Sequence, residues 1–160
     1  MKAVLPAVLA IIFAGTAYAG EPLAERDLLE RELAHELAPV KSMSDLEGLI
    51  ASGIEKTPLH ALSTGAQVRF LQSLVFTENG LASFYYEDMQ RELDATEAYR
   101  ILSLFGAQNS TRAIPGIRIA SKSDELIMTP AADGGDHVGY LCHSRATCME
   151  SPSFICTLNC

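Results

Sequence analysis

Apolar residues recur at helical spacing through the first two thirds of the chain. Residues 21–38 carry charged residues around a narrow stripe of leucines spaced four positions apart, and Pro39 ends the pattern. The stripe consists of Leu29, Leu33 and Leu37, with Leu28 beside it. We expect a peripheral helix docked on its own domain, and the alternative is a helix exposed for binding a partner.

Two short helices are predicted next from their capping residues. Ser44 followed by Glu47 forms a capping-box pattern ahead of a helix that should end near Gly53. Thr57 and Pro58 then suit the cap and the first position of another helical turn.

The body of the domain is predicted between Thr64 and Gly106. Residues 65–76 are apolar on most sides, which predicts a central helix that ends at the turn formed by residues 78–80. Residues 81–93 are ambiguous, and we expect an extended start followed by a short helix from about Tyr86.

The best-specified helix follows residues 81–93. Asp94 and Glu97 supply an N-terminal cap, and Gly106 supplies the stop. The apolar residues between them follow the spacing of one helical face: Ala98, Ile101, Leu102 and Phe105.

Regular spacing weakens after Gly106. The alternation of Ile117 and Ile119 allows a short strand, and residues 123–128 fit one helical turn. Residues 131–136 read as a flexible hinge. We therefore predict a mainly α fold of four or five helices, with a helical domain at 20–130 and a loop-rich, cysteine-containing segment at 131–160 packed on it.

The start of the chain has the pattern of a secretory signal peptide. Residues 3–14 are apolar, and Ala17-Tyr18-Ala19 forms an A-x-A cleavage site, so we expect cleavage after residue 19. The apolar run is shorter than the roughly 20 residues that cross a bilayer. The mature chain is therefore expected in the periplasm or outside the cell, without a membrane anchor.

All four cysteines lie in the last 19 residues, at Cys142, Cys148, Cys156 and Cys160. Export and the lack of a C-x2-C pair favour two disulfides over a metal site. Because neighbours in sequence close the shortest loops, we expect Cys142 to pair with Cys148 and Cys156 with Cys160. The nested pairing is almost as plausible.

The charge balance argues against nucleic acid as a partner. The chain has 12 basic and 20 acidic residues, a formal charge of -8. Loss of residues 1–19 would remove Lys2 and no acid, leaving 11 basic residues and a charge of -9. An acidic chain repels phosphate backbones, so a basic protein is the more natural partner.

Three consecutive aromatic residues mark the candidate contact patch. Phe84, Tyr85 and Tyr86 cannot all point inward in a helix or a strand, so at least one of them should be partly exposed. Partly exposed tyrosines are common at binding surfaces. Ordinary packing with a solvated hydroxyl is the alternative.

Catalytic patterns are scarce in this sequence. It has no G-x-S-x-G, P-loop or H-E-x-x-H motif, and its acidic pairs such as Glu87 and Asp88 suit a solvated helix face. We therefore assign no catalytic residue, metal or cofactor. A hydrolase whose site assembles in the fold would use His60, His137 or His143 as its base.

The signal peptide, acidic helical body and cysteine-containing end resemble, at the level of type, small secreted or periplasmic bacterial proteins that include inhibitors and immunity proteins. The sequence favours an exported, non-enzymatic binding protein that docks on another protein. The alternatives are a small envelope hydrolase and a structural envelope component.

Overall fold

The computed structural model describes residues 23–129 and 135–160. The predicted signal peptide and most of the predicted hinge lie outside them, so both stay predictions. The described part forms six α-helices and four strands: α1 (Leu23–Leu37), α2 (Met43–Ser52), α3 (Thr64–Ser73), β1 (Val75–Thr77), β2 (Gly80–Tyr85), α4 (Glu87–Glu92), α5 (Ala95–Ser103), α6 (Lys122–Ile127), β3 (His137–Ser144) and β4 (Thr147–Cys156). Three short 3-10 helices span Ile54–Lys56, Pro58–Ala61 and Gln108–Ala113.

The prediction of a mainly α fold is wrong, because helices pack with an antiparallel sheet of four strands in the order β1-β2-β4-β3. The segment predicted as loop-rich forms the β3-β4 hairpin, and β4 pairs with β2 from the body of the domain. The C-terminal segment is therefore joined to the rest of the chain by main-chain hydrogen bonds as well as by packing.

The predicted central helix is shorter than expected. α3 ends at Ser73, and Val75–Thr77 forms β1, which pairs with β2 across the turn at Glu78 and Asn79. Pairing with β2 provides partners for the backbone of these residues, and this tertiary effect outweighs the helical spacing of their side chains. The neighbouring prediction of an extended segment followed by a helix is confirmed by β2 and α4.

Two of the three caps predicted from the sequence are present in the structure. Asp94 and Glu97 form the predicted capping box of α5, and the Thr57 hydroxyl accepts from the Leu59 N–H at the start of a 3-10 helix. The predicted short helix that ends near Gly53 is confirmed by α2, but its predicted cap is wrong, because Ser42, not Ser44, accepts from the Asp45 N–H. Ser42 and Asp45 form the same Ser-x-x-acid pattern two residues before Ser44 and Glu47. The helix that begins after Ser42 buries Leu46.

The main core lies between the helices and one face of the sheet. Phe70 of α3 contacts Phe84 of β2 and Phe105 edge to face, with ring centroids 6.3 and 5.9 Å apart. Leu102 and Ile155 are also fully buried in this core. Their burial joins α3, α5 and the sheet into one hydrophobic unit.

The β3-β4 hairpin is bent in the middle. Residues 151–154 of β4 lie opposite the single residue Gly139 of β3, and Gly139 and Ser153 have φ angles of 84° and 71°. This insertion is a large β-bulge, which bends the strand sharply. The bend brings Cys148 and Cys156, both in β4, to a Cα–Cα distance of 6.1 Å.

The two disulfides have the nested pairing, Cys142 with Cys160 and Cys148 with Cys156. The expected neighbour pairing is therefore wrong, because loop length alone favoured it whereas the bent hairpin decides which sulfurs meet. The buried Cys142 and Cys156 form a second small core with Ala82. These bonds fit an oxidising location, extracellular or periplasmic, and no described helix is long and apolar enough to cross a membrane.

A buried carboxylate joins α6 to α5. Asp124 accepts from the Thr96 N–H and hydroxyl at 2.7 and 2.6 Å, from the Ala120 N–H at 2.9 Å, and from the N–H and hydroxyl of Ser121 at 2.8 and 2.9 Å. These donors, Thr96 first, hold the pKa of Asp124 well below its usual range.

Replacing Asp124 with Asn is therefore expected to destabilise the protein at neutral pH and to flatten its response to acid. A carboxyl whose pKa is lower in the folded state stabilises the fold above its unfolded pKa of about 3.9, and this stabilisation is lost as the pH falls through the folded pKa. Urea unfolding followed by circular dichroism at pH 7 and pH 3 measures both effects. Glu125→Gln, at the exposed next position, is the control, and an equal loss there would contradict the assignment to Asp124.

Candidate functional site

Helix α1 docks on the domain through a face of charged residues and alanines rather than through its leucines. Asp27, Ala34 and Ala38 are buried, and the side chain of Arg31 is 16% exposed. These positions lie on one face of the helix at intervals of three and four residues. The expected docking on its own domain is seen, but the face that docks is opposite to the leucine stripe.

Ion pairs fix this orientation of α1. The Arg31 Nε lies 2.8 Å from Asp27, and its Nη1 lies 3.2 Å from Asp136, just before β3. Arg112 approaches Asp27 at 3.5 Å from the 3-10 helix that follows α5. Removing one partner of such a shielded set leaves a charge without compensation, so the set strongly favours this one rotation of the helix.

A glycine lets α1 approach the end of α5 closely. Gly106 has a φ of 67°, and a Cβ at this position would lie 2.8 Å from the Ala34 carbonyl oxygen. A side chain there would push α1 away from the domain. The backbone contact therefore supports the same orientation as the ion pairs.

The consequence is a row of leucines in solvent. Leu28, Leu29, Leu33 and Leu37 are between 57% and 75% exposed. We call Leu29, Leu33 and Leu37, which follow one another at four-residue intervals, the leucine face. A single exposed leucine needs no explanation, whereas a contiguous row on a docked helix is a candidate interaction surface.

The surroundings of the leucine face are acidic. Exposed side chains on the same helix comprise four glutamates and one arginine: Glu25, Arg26, Glu30, Glu32 and Glu36. By helical geometry, Glu32 and Glu36 flank the leucines on one side and Glu30 flanks them on the other. The leucines are therefore flanked by negative charges on both sides, and Arg26 lies in the same row one turn before Leu29.

The predicted aromatic patch is divided between two environments. Phe84 is fully buried in the main core, whereas Tyr85 and Tyr86 are half-buried. Tyr85 stacks edge to face on Phe154 with centroids 5.7 Å apart. Phe84 thus offers no surface to a partner in this fold, and the contact prediction remains open for the two tyrosines.

A shallow pocket of about 360 Å³ lies beside Tyr85, lined also by Arg69, Gln72, Ser73 and Phe154. Phe154 reaches the pocket from the bulge of β4, which explains why sequence reasoning missed it. The pocket is a groove open to solvent, and of its lining residues the aromatic-patch prediction named Tyr85.

The carboxylates near this pocket are engaged in the fold. Asp88 is buried and accepts from Arg69 at 2.8 and 2.9 Å and from Arg91 at 2.7 Å. These hydrogen bonds, Arg69 first, lower the pKa of Asp88. The hydroxyls of Ser153 and Tyr85 likewise lower the pKa of Glu87. These two acids connect α3, α4 and β4 and are not the freely solvated pair expected from sequence.

The histidines do not form a catalytic arrangement in the described residues. The His60 Nδ1 bonds to the Thr57 carbonyl at 2.6 Å, and none of the four histidines bonds to a Ser, Asp or Glu side chain there. Cys142, Cys156 and Cys160 lie close together, but disulfides occupy their sulfurs, which then lack the thiolate that binds metal. This geometry gives the hydrolase alternative no support.

A comparison of the chain with protein families, curated proteins and solved structures finds no match. The class of protein therefore rests on the fold and the site. They define a small protein of helices and an antiparallel sheet, with a disulfide-linked C-terminal hairpin and an exposed leucine face on its first helix.

Proposed function

We propose that this protein is an exported, non-enzymatic binding protein that docks on another protein through the leucine face of α1. The observation that carries the proposal is the exposure of Leu29, Leu33 and Leu37 on a helix whose opposite face is held by ion pairs. A helix that presents apolar anchors at regular intervals suits insertion into a groove of a partner.

The acidic edges specify the chemistry of that partner. Glu30, Glu32 and Glu36 would lie against the rim of the groove, so the groove should be apolar at its centre and carry Lys or Arg along its sides. The same glutamates disfavour the alternative of an anionic membrane surface, which attracts amphipathic helices with basic edges. If two copies of the protein paired through parallel α1 helices, the same glutamates would also bring like charges together.

Export is part of the proposal and rests on two separate features. The first 19 residues have the pattern of a signal peptide, and the disulfides suit an oxidising compartment. A role as an inhibitor or immunity-type protein is consistent with an acidic surface that neutralises a basic target.

The leucine face predicts a selective loss of binding on substitution. The mature, oxidised protein would be used to capture a partner from envelope and culture-medium fractions, in parallel with the double variant Leu29→Gln/Leu33→Gln. Gln keeps the helix propensity of Leu and adds no charge, so α1 should persist. We expect the affinity for the partner to fall at least about tenfold, because each lost anchor contact costs on the order of 1 kcal/mol or more.

The matched control is Leu126→Gln, since Leu126 is 66% exposed and belongs to α6 rather than to α1. Support requires a stoichiometric protein that binds the wild type and the control, binds the double variant poorly, and loses affinity as salt rises. Equal capture by the double variant, or no capture, would refute docking through this face. If the wild type dimerised in sedimentation and the double variant did not, the occupant of the leucine face would be a second copy of the chain. If the leucine face bound lipid vesicles, the occupant would be a membrane.

A further inference from the structure

A second pocket lies on the side of the domain formed by α5 and the short helix Pro58–Ala61. It has a volume of about 300 Å³ and is lined by Lys56, Thr57, Pro58, His60, Ala61, Glu97 and Arg100. This volume is at the lower end of the range that small-molecule sites occupy.

The charge in this pocket is opposite to that of the protein as a whole. The chain carries an excess of eight acidic residues, yet the pocket brings together two cations, a histidine and one carboxylate. Within the described ranges, neither Lys56 nor Arg100 forms an ion pair with an acid of this chain. Their donors are therefore available to a ligand.

The single carboxylate in the pocket is already engaged. Glu97 accepts from the Asp94 N–H at 3.0 Å as part of the cap of α5, and Arg118 lies 3.8 Å from the same oxygen. The negative charge of Glu97 therefore offsets the positive charges of Lys56 and Arg100 only in part.

The wall of the pocket formed by Pro58–Ala61 is held by local hydrogen bonds. Thr57 caps the 3-10 helix that carries Pro58 and Ala61, and its hydroxyl donates to the Ile54 carbonyl at 2.7 Å. The His60 ring is held by its contact with the Thr57 carbonyl, which directs its other nitrogen away from that bond. Fixed walls reduce the entropy that a ligand loses on binding.

We propose that this pocket binds a small oxyanion, the carboxylate or phosphate group of a low-molecular-weight ligand, between Lys56 and Arg100. Arg100 presents a planar fork of donors that suits either group, and Lys56 adds a second positive charge. Pro58 and Ala61 provide an apolar surface for the rest of the ligand. The site is independent of the leucine face, so either assignment can fail without the other.

The test is a titration of the oxidised protein with inorganic phosphate and, separately, with acetate, at constant ionic strength maintained with chloride. Backbone amide shifts of residues 56, 57, 59–61 and 97–100 in two-dimensional NMR report binding. We expect saturable shifts confined to these residues, and about tenfold weaker binding in Lys56→Gln and in Arg100→Gln, because each removes a charged hydrogen-bond donor. Lys122→Gln, at an exposed position of α6, should bind as the wild type does.

A response to phosphate alone would assign a phosphate-bearing ligand, and a response to acetate alone a carboxylate. Absence of saturable shifts with both probes up to about 20 mM, a range that covers even very weak specific binding, would overturn the proposal. Equal affinity in the wild type and both pocket variants would also overturn it. Thermal unfolding of each variant separates loss of a ligand contact from loss of the fold.

Discussion

Replacing Phe84 with Ala should lower the free energy of unfolding by about 3 to 5 kcal/mol, the range found for large aromatic residues in a closed core. The ring is fully buried, contacts Phe70 edge to face, and lies opposite Ile155 on β4. Its removal would leave a cavity where α3, β2 and β4 meet. A loss of this size is a large part of the 5 to 15 kcal/mol that stabilises a typical domain.

Urea unfolding followed by far-UV circular dichroism measures this effect, since the chain has no tryptophan to serve as a fluorescence probe. Tyr85→Ala is the matched control, because Tyr85 is the next residue of β2 and is half-buried against Phe154. We expect less than half the loss there. Equal losses would mean that the two aromatics share one environment, contrary to the structure.

The same pair of variants is informative about binding. Phe84→Ala would weaken the binding of a partner indirectly by destabilising the fold, whereas Tyr85→Ala leaves the core intact. Only a loss of affinity in Tyr85→Ala would therefore support a contact role for the aromatic patch.

Removing the disulfides is expected to cost a comparable amount. The bond between Cys142 and Cys160 spans 18 positions and should contribute roughly 3 kcal/mol, and the bond between Cys148 and Cys156 spans 8 and should contribute slightly less. The losses from paired Cys→Ser variants should not add, because one loop encloses the other and both bonds hold the same bent hairpin. Urea midpoints of the two paired variants and of the reduced wild type check this.

The pairing itself has a direct chemical test. If the pairing is nested, the disulfides keep the fragments together after the oxidised chain is cleaved after Arg145 and after Glu150. The neighbour pairing would instead release residues 151–160 with an internal bond between Cys156 and Cys160. Mass spectrometry before and after reduction distinguishes these results, and a free 151–160 fragment would contradict the structure.

Local signals in the sequence were sufficient where an element depends on its own residues. The capping box of α5, the 3-10 turn begun by Thr57 and Pro58, and the change from an extended segment to α4 are all present in the structure. In the first two cases, a side chain satisfies backbone groups only a few positions away, so no distant contact is needed to specify the conformation. α4 has no such cap, and the extended segment before it pairs with β1 and with the distant β4.

The sheet could not be read from the sequence, because its strands acquire hydrogen-bond partners far away in the chain. β1 has helical spacing, and β3 and β4 have the Ser, Thr, Pro and Cys content of a loop. Nevertheless, β4 pairs with β2, which lies some 70 residues earlier in the chain. The bulge at residues 151–154 and the disulfide pairing follow from that arrangement. Neither is visible in local spacing.

The sequence by itself determined that α1 is a charged helix with a leucine stripe, since this depends only on the spacing of residues along one helix. Which face of α1 turns inward was decided by the tertiary structure. Asp27 of α1 pairs with Arg112, and Arg31 pairs with Asp136. Gly106 leaves room for the backbone of α1 at close range. Those distant partners turn the leucines to solvent, and that exposure makes them a candidate binding surface.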